Sequence, residues 1–522
     1  MMETILGKDM SKLQRADNSP SDPLRLVIDL SWLRPGGEAG GVKPSIFEYL
    51  RELGILEGDR VVYIFLTWSC SHADVRSLAR PQDEMICVRH TEPEPLIMPL
   101  ATAPSERFLP SPPLDLLVQL EADALYAPLG PPQFACPGIP ILSHVVDVLH
   151  RDFPATLTPE INAQRETIFE YLVRITDRFQ CNSQYTAGRL HHHFAVPVER
   201  MFCSYIPIHR RLPGGADEQT PPVSAPYFFY PANSWKHKNH EMLLSAFRHY
   251  RELDADKSWD LVLTGHEDER MRQILAVAKD LGLSEHVHFF GHLPERDFSR
   301  VWRHAGALVF PSLHEGFGIP LVEAMHFGIP ILSSRAGSLG EIAGNAALFA
   351  DADDPVAWAA AMSRLARDES LRTELVARGR LRLAQFSLAE EIAEFRDAIW
   401  AIAAQGPDRN WLTGLHSNGY LPGMAVLCLP KSTVPVRIIL RVRPSPPDGR
   451  LVVRVGLDSL DDFELSASSP RDIEMATDSP HRSLVLEATA ASGAAQPSGL
   501  MIETIRVTDS TGRTQTLFEA TG

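Results

Sequence analysis

Cysteine is scarce. The 522 residues hold six (Cys70, Cys87, Cys136, Cys181, Cys203 and Cys428), scattered with no close pair. That excludes a zinc finger or a disulfide framework and points to a reducing cytoplasm. Positive charge is also short. The formal net charge is −16, which argues against a nucleic-acid scaffold and against a broad basic membrane face. No apolar run approaches the ~18–20 residues of a membrane span. The opening stretch MMETILGKDMSKLQRADNSPSDP is polar and has no apolar core, unlike a signal peptide. No metal device stands out. The run His191–His193 would put consecutive helix side chains about 100° apart, too divergent to meet on one ion, and no Asp-x-Asp stands out as a metal-binding element.

What is present is an ordinary globular composition, 44% hydrophobic and 22% charged. The length is too great for one core, so several domains are expected. After a polar N-terminus expected to be disordered (residues 1–23), strand-like runs alternate with helical patterns. LRLVIDLSWL, RVVYIFLTW, EMICVRH, LDLLVQLEADALYAP and IPILSHVVDVL read as strands, and PEINAQRETIFEYLVRI as a helix. A Pro/Gly-rich linker (210–226) separates this set, 24–209, from a second alternating set, 227–404. Alternation of this kind gives α/β domains with parallel sheets covered on both faces. Two such domains leave a cleft, with ligands at the carboxyl ends of the strands. From Leu421, after a linker over 405–420, the pattern changes to short period-two strands such as TVPVRIILRVRP, expected as a C-terminal β-sandwich (421–522).

The most informative stretch is FPSLHEGFGIPLVEAMHFGIPILSS, Phe310 to Ser334. It reads as a strand end, a glycine loop, a short helix with Pro320 at its first position and Gly328 at its end, then a strand. A helix N-terminus behind a glycine loop is an anion site. Glu315 and Glu323 flank it. Carboxylates beside an anion make sense if they hold hydroxyls attached to it, since each accepts from two at once.

This stretch resembles the donor-site signature of retaining glycosyltransferases of the GT-B fold, the large family four of nucleotide-sugar-dependent enzymes. Two glutamates with seven residues between them lie within E-G-F-G-x-P-x-x-E-A-M, and every position matches. The resemblance implies two Rossmann-like domains facing a cleft, with the β module as an addition. It implies that Glu323 holds the ribose and that Glu315 lies by the donor sugar. The N–H groups of Gly316, Phe317 and Gly318 would meet sugar hydroxyls, and those of Leu321 and Val322 the phosphate. Lys238 in YPANSWKHKNH resembles the family's phosphate-binding lysine. The family's arginine six residues earlier is Ala232 here, so Lys236 takes its place or the pocket is built differently.

Gly265 and Gly291, each ending a strand, resemble positions near the nucleotide. Gly40 and Gly41, in a loop after the first strand, resemble one that lies over the donor phosphates; either pair also reads as a plain turn. SHVVDVLHRDFP resembles an acceptor-side loop, with Asp147 placed to accept from the acceptor hydroxyl and His150 beside it. The family's first histidine is Val146 here.

The expected activity is transfer of a hexose, mannose being favoured by the resemblance, from a nucleotide-diphosphate sugar to a glycan or lipid-linked acceptor in surface-polysaccharide synthesis. No metal or other cofactor is expected, and the setting is the cytoplasm or the inner face of the membrane. Partners beyond the nucleotide sugar and glycan, among them a docking enzyme or the membrane surface, stay open, as does the oligomeric state. A nucleotide-sugar epimerase or glycan phosphorylase of similar fold and a non-catalytic sugar-binding protein are the alternatives.

Overall fold

A computed structural model describes residues 23–34, 42–89, 105–108, 116–136, 138–206, 223, 226–253, 258–404, 412–413, 420–421, 424–428, 436–444, 449–455, 459–465, 470–477, 483–490, 500–508 and 512–520. The polar N-terminus, Gly40 and Gly41 lie outside these residues, as does most of both proposed linkers.

The first domain is one parallel sheet of eight strands. In chain order these are β1 (Leu24–Asp29), β2 (Val61–Trp68), β3 (Glu84–Arg89), β4 (Ser105–Phe108), β5 (Ala124–Ala127), β6 (Ile141–Val145), β7 (Arg178–Cys181) and β8 (Met201–Cys203). In space they run β4-β3-β2-β1-β5-β6-β7-β8. β1 is buried almost throughout, as are β2 and β6, which is why they read as continuous apolar runs rather than alternating ones.

One expectation is corrected here, and one further strand is found. LDLLVQLEADALYAP is a helical turn, Leu116–Gln119, followed by β5, with Glu121 at φ 52° breaking the run. A four-residue helix is too short to show a period. β4, SERF, escapes an apolar search because it is a charged edge strand; its Glu106 pairs with Arg76 at 2.9 Å.

The second domain is a six-stranded parallel sheet of β9 (Tyr227–Pro231), β10 (Asp260–Thr264), β11 (Val287–Phe289), β12 (Ala305–Phe310), β13 (Ile331–Ser333) and β14 (Ala347–Phe349), ordered β11-β10-β9-β12-β13-β14. Chain order reverses between β9 and β12, so the crevice for a ligand opens beyond Pro231 and Phe310. Caps fix where the surrounding helices start. Asp268 accepts from the Met271 amide at 2.7 Å, and Asp354 from Val356 and Ala357 ahead of Pro355.

The chain then crosses back. The helix Leu388–Ala403 follows the second domain, yet buries Ile392, Phe395, Ile399 and Ile402 in the core of the first. Phe395 lies between Tyr49 and Tyr126, ring centroids 5.3 and 5.0 Å away. Burying a side chain of this size stabilises by ~1.5–3 kcal/mol, so the four together hold the two domains as one unit.

The C-terminal segment forms two five-stranded antiparallel sheets. They share one core containing Ile438, Leu440, Val442, Leu451, Ile473 and Leu486. In the strand Val436–Pro444 the alternation is as expected: Ile438, Leu440 and Val442 are buried, while Arg437, Arg441 and Arg443 are exposed. The half-buried Ile439 shares the outer face with these arginines, which pair with Glu474 and Glu503. Among the described residues no helix is long and apolar enough to cross a membrane.

Glu391 sits at the join, on the crossing helix, and accepts from the Tyr205 amide at 2.6 Å. Burial pushes its carboxyl up to about 8, against that amide and with Glu394 adding to the rise. Between the ordinary carboxylate range and about pH 8, the folded chain keeps a proton that the unfolded chain has lost, so stability falls as pH rises through this window. Urea midpoints are expected to decline from about pH 5 to pH 8, and Glu391→Gln to flatten that decline. A variant with the parent's slope would show that Glu391 does not carry it.

Candidate functional site

Two loops meet at the crevice of the second sheet. The first leaves β9 and makes one tight turn, Lys236–Lys238, with Asn239 left-handed at φ 64°. Asparagine tolerates that conformation, and here its side chain has a task. The Asn239 amide donates to the Pro311 and Ala352 carbonyls at 3.1 and 2.7 Å. Tyr230 Oη donates to the Lys238 carbonyl at 2.5 Å, and the Leu313 amide to that of His237 at 2.7 Å. The turn is thereby tied to the loop after β12.

That second loop carries His314, Glu315 and the glycines, and leads into the helix Ile319–Phe327. Gly318 (φ 99°) and Gly328 (φ 67°) flank the helix in left-handed conformations that only glycine takes cheaply. No side chain caps its N-terminus. The first-turn Leu321 amide donates to the Gly318 carbonyl at 3.0 Å, so an anion there would share this donor.

The side chains converge. Lys238 Nζ lies 2.5 Å from Glu315 Oε1, with the two side chains only 13% and 11% exposed. Glu323, one turn into the helix, is 2% exposed. His237 is buried beside them. Burial, reinforced by the charge on Lys238, lowers its pKa to about 4, so the ring is neutral at pH 7. Lys236, in contrast, points out to solvent.

Across the cleft the first domain brings Asp147, on the loop after β6. Burial opposes its charge, but Arg165, the Leu149 amide and the nearby His314 and His237 hold the carboxyl below its usual range. Arg165 pairs with it directly. His150 is buried against Phe169 and Phe194, and burial, then Arg165, lowers its pKa to about 4. Its ring is therefore packed into the first domain's own core.

The domains touch closely here. A Cβ on Gly316 would lie 1.7 Å from the Val146 carbonyl oxygen. Ser183 Oγ donates to the Gly316 carbonyl at 2.6 Å. Glu341 of the second domain accepts from the Gln184 and Tyr185 amides, both at 2.8 Å, at the start of the helix Gln184–Phe194. His314 Nε2 lies 3.1 Å from Asp152 Oδ2.

Comparison with known proteins gives a consistent picture. Residues 216–382 match the family model described as glycosyl transferases group 1. The O-antigen chain mannosyltransferase B of Escherichia coli is 32% identical over 164 residues, 31% of this chain and 42% of that protein. The O-antigen chain mannosyltransferase RfbU of Salmonella typhimurium is 30% identical over 139 residues, 27% of this chain and 38% of that one. The chain thus spans less than half the length of these curated relatives. A crystal structure of Anabaena HepE in complex with UDP and glucose superposes with a TM-score of 0.53 at 15% identity, covering 72% of this chain and 100% of that one. WaaG, a glycosyltransferase involved in lipopolysaccharide biosynthesis, gives 0.50 at 17% identity over 72% and 99%.

The fold is GT-B. Within this GT-B frame, Lys238, Glu315, Glu323, Gly316, Phe317, Gly318, Leu321 and Val322 all gather at the switch point of the second domain, and Asp147 faces them. Gly265 and Gly291 lie side by side at the ends of β10 and β11, joined by a 3.0 Å amide–carbonyl bond. A side chain on Gly265 would meet the Ala232 carbonyl at 2.5 Å, so backbone approach alone explains that glycine. Ala232 is buried. Arg270 binds the Ser234 carbonyl and Glu241, both at 2.7 Å.

Several residues escaped the sequence reading: His237, His314, Asp152, Ser183, Thr186 and Glu341. Only His237 and His314 had a local signal, each being next to a predicted site residue. Asp152 lies two residues beyond His150 in the same stretch, whereas Ser183, Thr186 and Glu341 come from distant segments and meet the site only where the two domains touch. His193 of the histidine run belongs with them: it lies 2.7 Å from Asp152.

Gly316→Ala forces the Val146 loop away or distorts the glycine loop. Overpacking of this kind typically costs about 1–3 kcal/mol. A drop of that size in urea-derived stability is expected, and a Gly316→Ala chain as stable as the parent would show that the two domains do not approach this closely.

Proposed function

We propose that the protein is a retaining glycosyltransferase that moves a hexose, mannose in the first instance, from a nucleotide-diphosphate sugar to a glycan or lipid-linked acceptor in surface-polysaccharide synthesis. The observation that carries this reading is the 2.5 Å pair of Lys238 and Glu315 at the sheet's switch point, in front of an uncapped helix N-terminus with Glu323 buried one turn behind. Cation, N–H groups and carboxylates are what a sugar diphosphate offers partners for. The O-antigen names of the relatives support the sugar and the pathway class.

In this mechanism the diphosphate binds at the helix N-terminus, and its oxygens compete with Glu315 for the Lys238 ammonium. As the bond to the anomeric carbon lengthens, Lys238 meets the charge growing on the leaving oxygen. Glu315, released from the ion pair, accepts from hydroxyls of the sugar. Glu323 takes the ribose diol. Asp147, held ionised by Arg165, accepts from the attacking acceptor hydroxyl. His237, neutral at pH 7, adds no charge to the sugar-binding face.

Acceptor-dependent release of nucleotide from GDP-mannose or UDP-glucose by the purified chain tests the activity. Conversion of the sugar nucleotide without release would favour an epimerase, and phosphate-dependent cleavage of glycan a phosphorylase. Binding of glycan without turnover of donor would favour a sugar-binding protein. Within the site, Glu323→Ala is expected to weaken free nucleotide binding by ~1.5–3 kcal/mol, the range for hydrogen bonds to a charged group. Glu315→Ala is expected to act mainly on turnover. Calorimetry that finds Glu323→Ala binding nucleotide as tightly as the parent removes the ribose assignment.

A further inference from the structure

The glycine loop of the second domain does not hold its own shape. Glycine gives Gly316 almost free rotation, so the plane of the Gly316–Phe317 peptide must be set from outside. Three consecutive carbonyls are gripped. Ser338 binds two of them, with its amide and Oγ at 3.0 and 3.1 Å from the Glu315 oxygen and its Oγ 2.9 Å from that of Phe317. The middle one, on Gly316, is reached by the first domain instead, by Ser183 Oγ at 2.6 Å and Thr186 Oγ1 at 3.2 Å.

A trans peptide points its N–H opposite the preceding carbonyl. The Phe317 amide therefore faces away from Ser183, and its direction is fixed by two hydroxyls that belong to the other domain. Both hydroxyls are almost wholly buried, so the bonds are not shared with bulk water. The same loop is held a second time from across the cleft. His314, next to Glu315, lies 3.1 Å from Asp152, whose carboxylate also accepts from Arg189 and Tyr185 and lies 2.7 Å from His193 Nε2. Asp152 is thus anchored in the first domain and transmits that anchorage to the residue before Glu315.

We propose that Ser183 and Thr186 are positioning residues: from the acceptor-side domain they set the Gly316–Phe317 peptide of the donor loop, so that the sugar-facing part of the donor site is complete only when the two domains meet. This rests on the glycosyltransferase reading above and adds to it a division of labour. Nucleotide binding uses Lys238, Glu323 and the helix N-terminus, all of the second domain, and is independent of the contact. Turnover of the sugar depends on it. Donor cleavage is thereby tied to closure, which suppresses wasteful hydrolysis while the cleft is open.

The test uses the full chain with Ser183→Ala/Thr186→Val, with Thr186→Val alone, which keeps the side-chain shape, and with Thr186→Ser as the conservative control. Thermal unfolding identifies any variant that has lost its fold. Ser183 also caps its own helix, accepting from the Thr186 amide at 3.1 Å, so the single Thr186→Val variant separates loop positioning from capping. With GDP-mannose and UDP-glucose as probes, kcat should fall about tenfold to a hundredfold in the double variant, the scale of a small misplacement near the reacting atoms. It should fall in the same direction in Thr186→Val and recover in Thr186→Ser. Affinity for free GDP or UDP should stay at the parent's value. Amide exchange over residues 312–321 should speed up in the double variant. Unchanged kcat, nucleotide affinity falling in step with kcat, or unchanged loop exchange would each overturn the proposal. A parent chain that cleaves neither sugar nucleotide refutes these two donors instead, and loop exchange then decides the positioning claim alone.

Discussion

The ion pair between Lys238 and Glu315 needs two loops to arrive together, and most of the surrounding structure serves that meeting. The loops leave β9 and β12, neighbouring strands whose chain order reverses. Asn239, Tyr230 and the Leu313 amide tie one loop to the other by hydrogen bonds. A charge this little exposed is costly without its partner, so the two residues keep each other in the crevice. In the proposed mechanism a diphosphate replaces Glu315 as the partner of Lys238, which would make the pair exchangeable as well as structural.

The second constraint is the closeness of the domains. Gly316 has no room for a side chain because the Val146 carbonyl occupies that space. The approach is held by apolar burial at one end, where the helix Leu388–Ala403 packs into the first domain's core, and by Glu341 and Ser183 at the other. Asp147 is brought against the Gly316 loop by that approach, while the Leu149 amide and Arg165 hold its carboxylate within its own domain. The site is thus a product of domain packing.

Much of this could be read in the residues, and the parts that could not share a physical cause. The glycine loop was legible because its chemistry lies in one continuous stretch, Phe310 to Ser334. The helices and the buried strands were legible from their periods. Three of the missed strands are charged edges: Ser105–Phe108 ends the first sheet, while Ser459–Leu465 and Arg471–Thr477 each end a sheet of the C-terminal module. Edge strands carry charge to prevent pairing with other chains, which removes the apolar signal used to find them. Ser183, Thr186 and Glu341 were invisible for a different reason. A serine at a helix start reads as a cap, and Ser183 is one, accepting from the Thr186 amide. Its second bond, to a carbonyl 133 residues away, exists only in the folded molecule.

The central claim is that a sugar nucleotide binds across the switch point of the second sheet. A crystal structure of the full chain with GDP-mannose or UDP-glucose tests it most directly. The account predicts the diphosphate against Lys238 Nζ and the first turn of the helix Ile319–Phe327, the ribose hydroxyls on Glu323, and the hexose beside Glu315 facing Asp147. A nucleotide lodged elsewhere, with Lys238 still bound to Glu315 and Glu323 out of reach of the ribose, would contradict it.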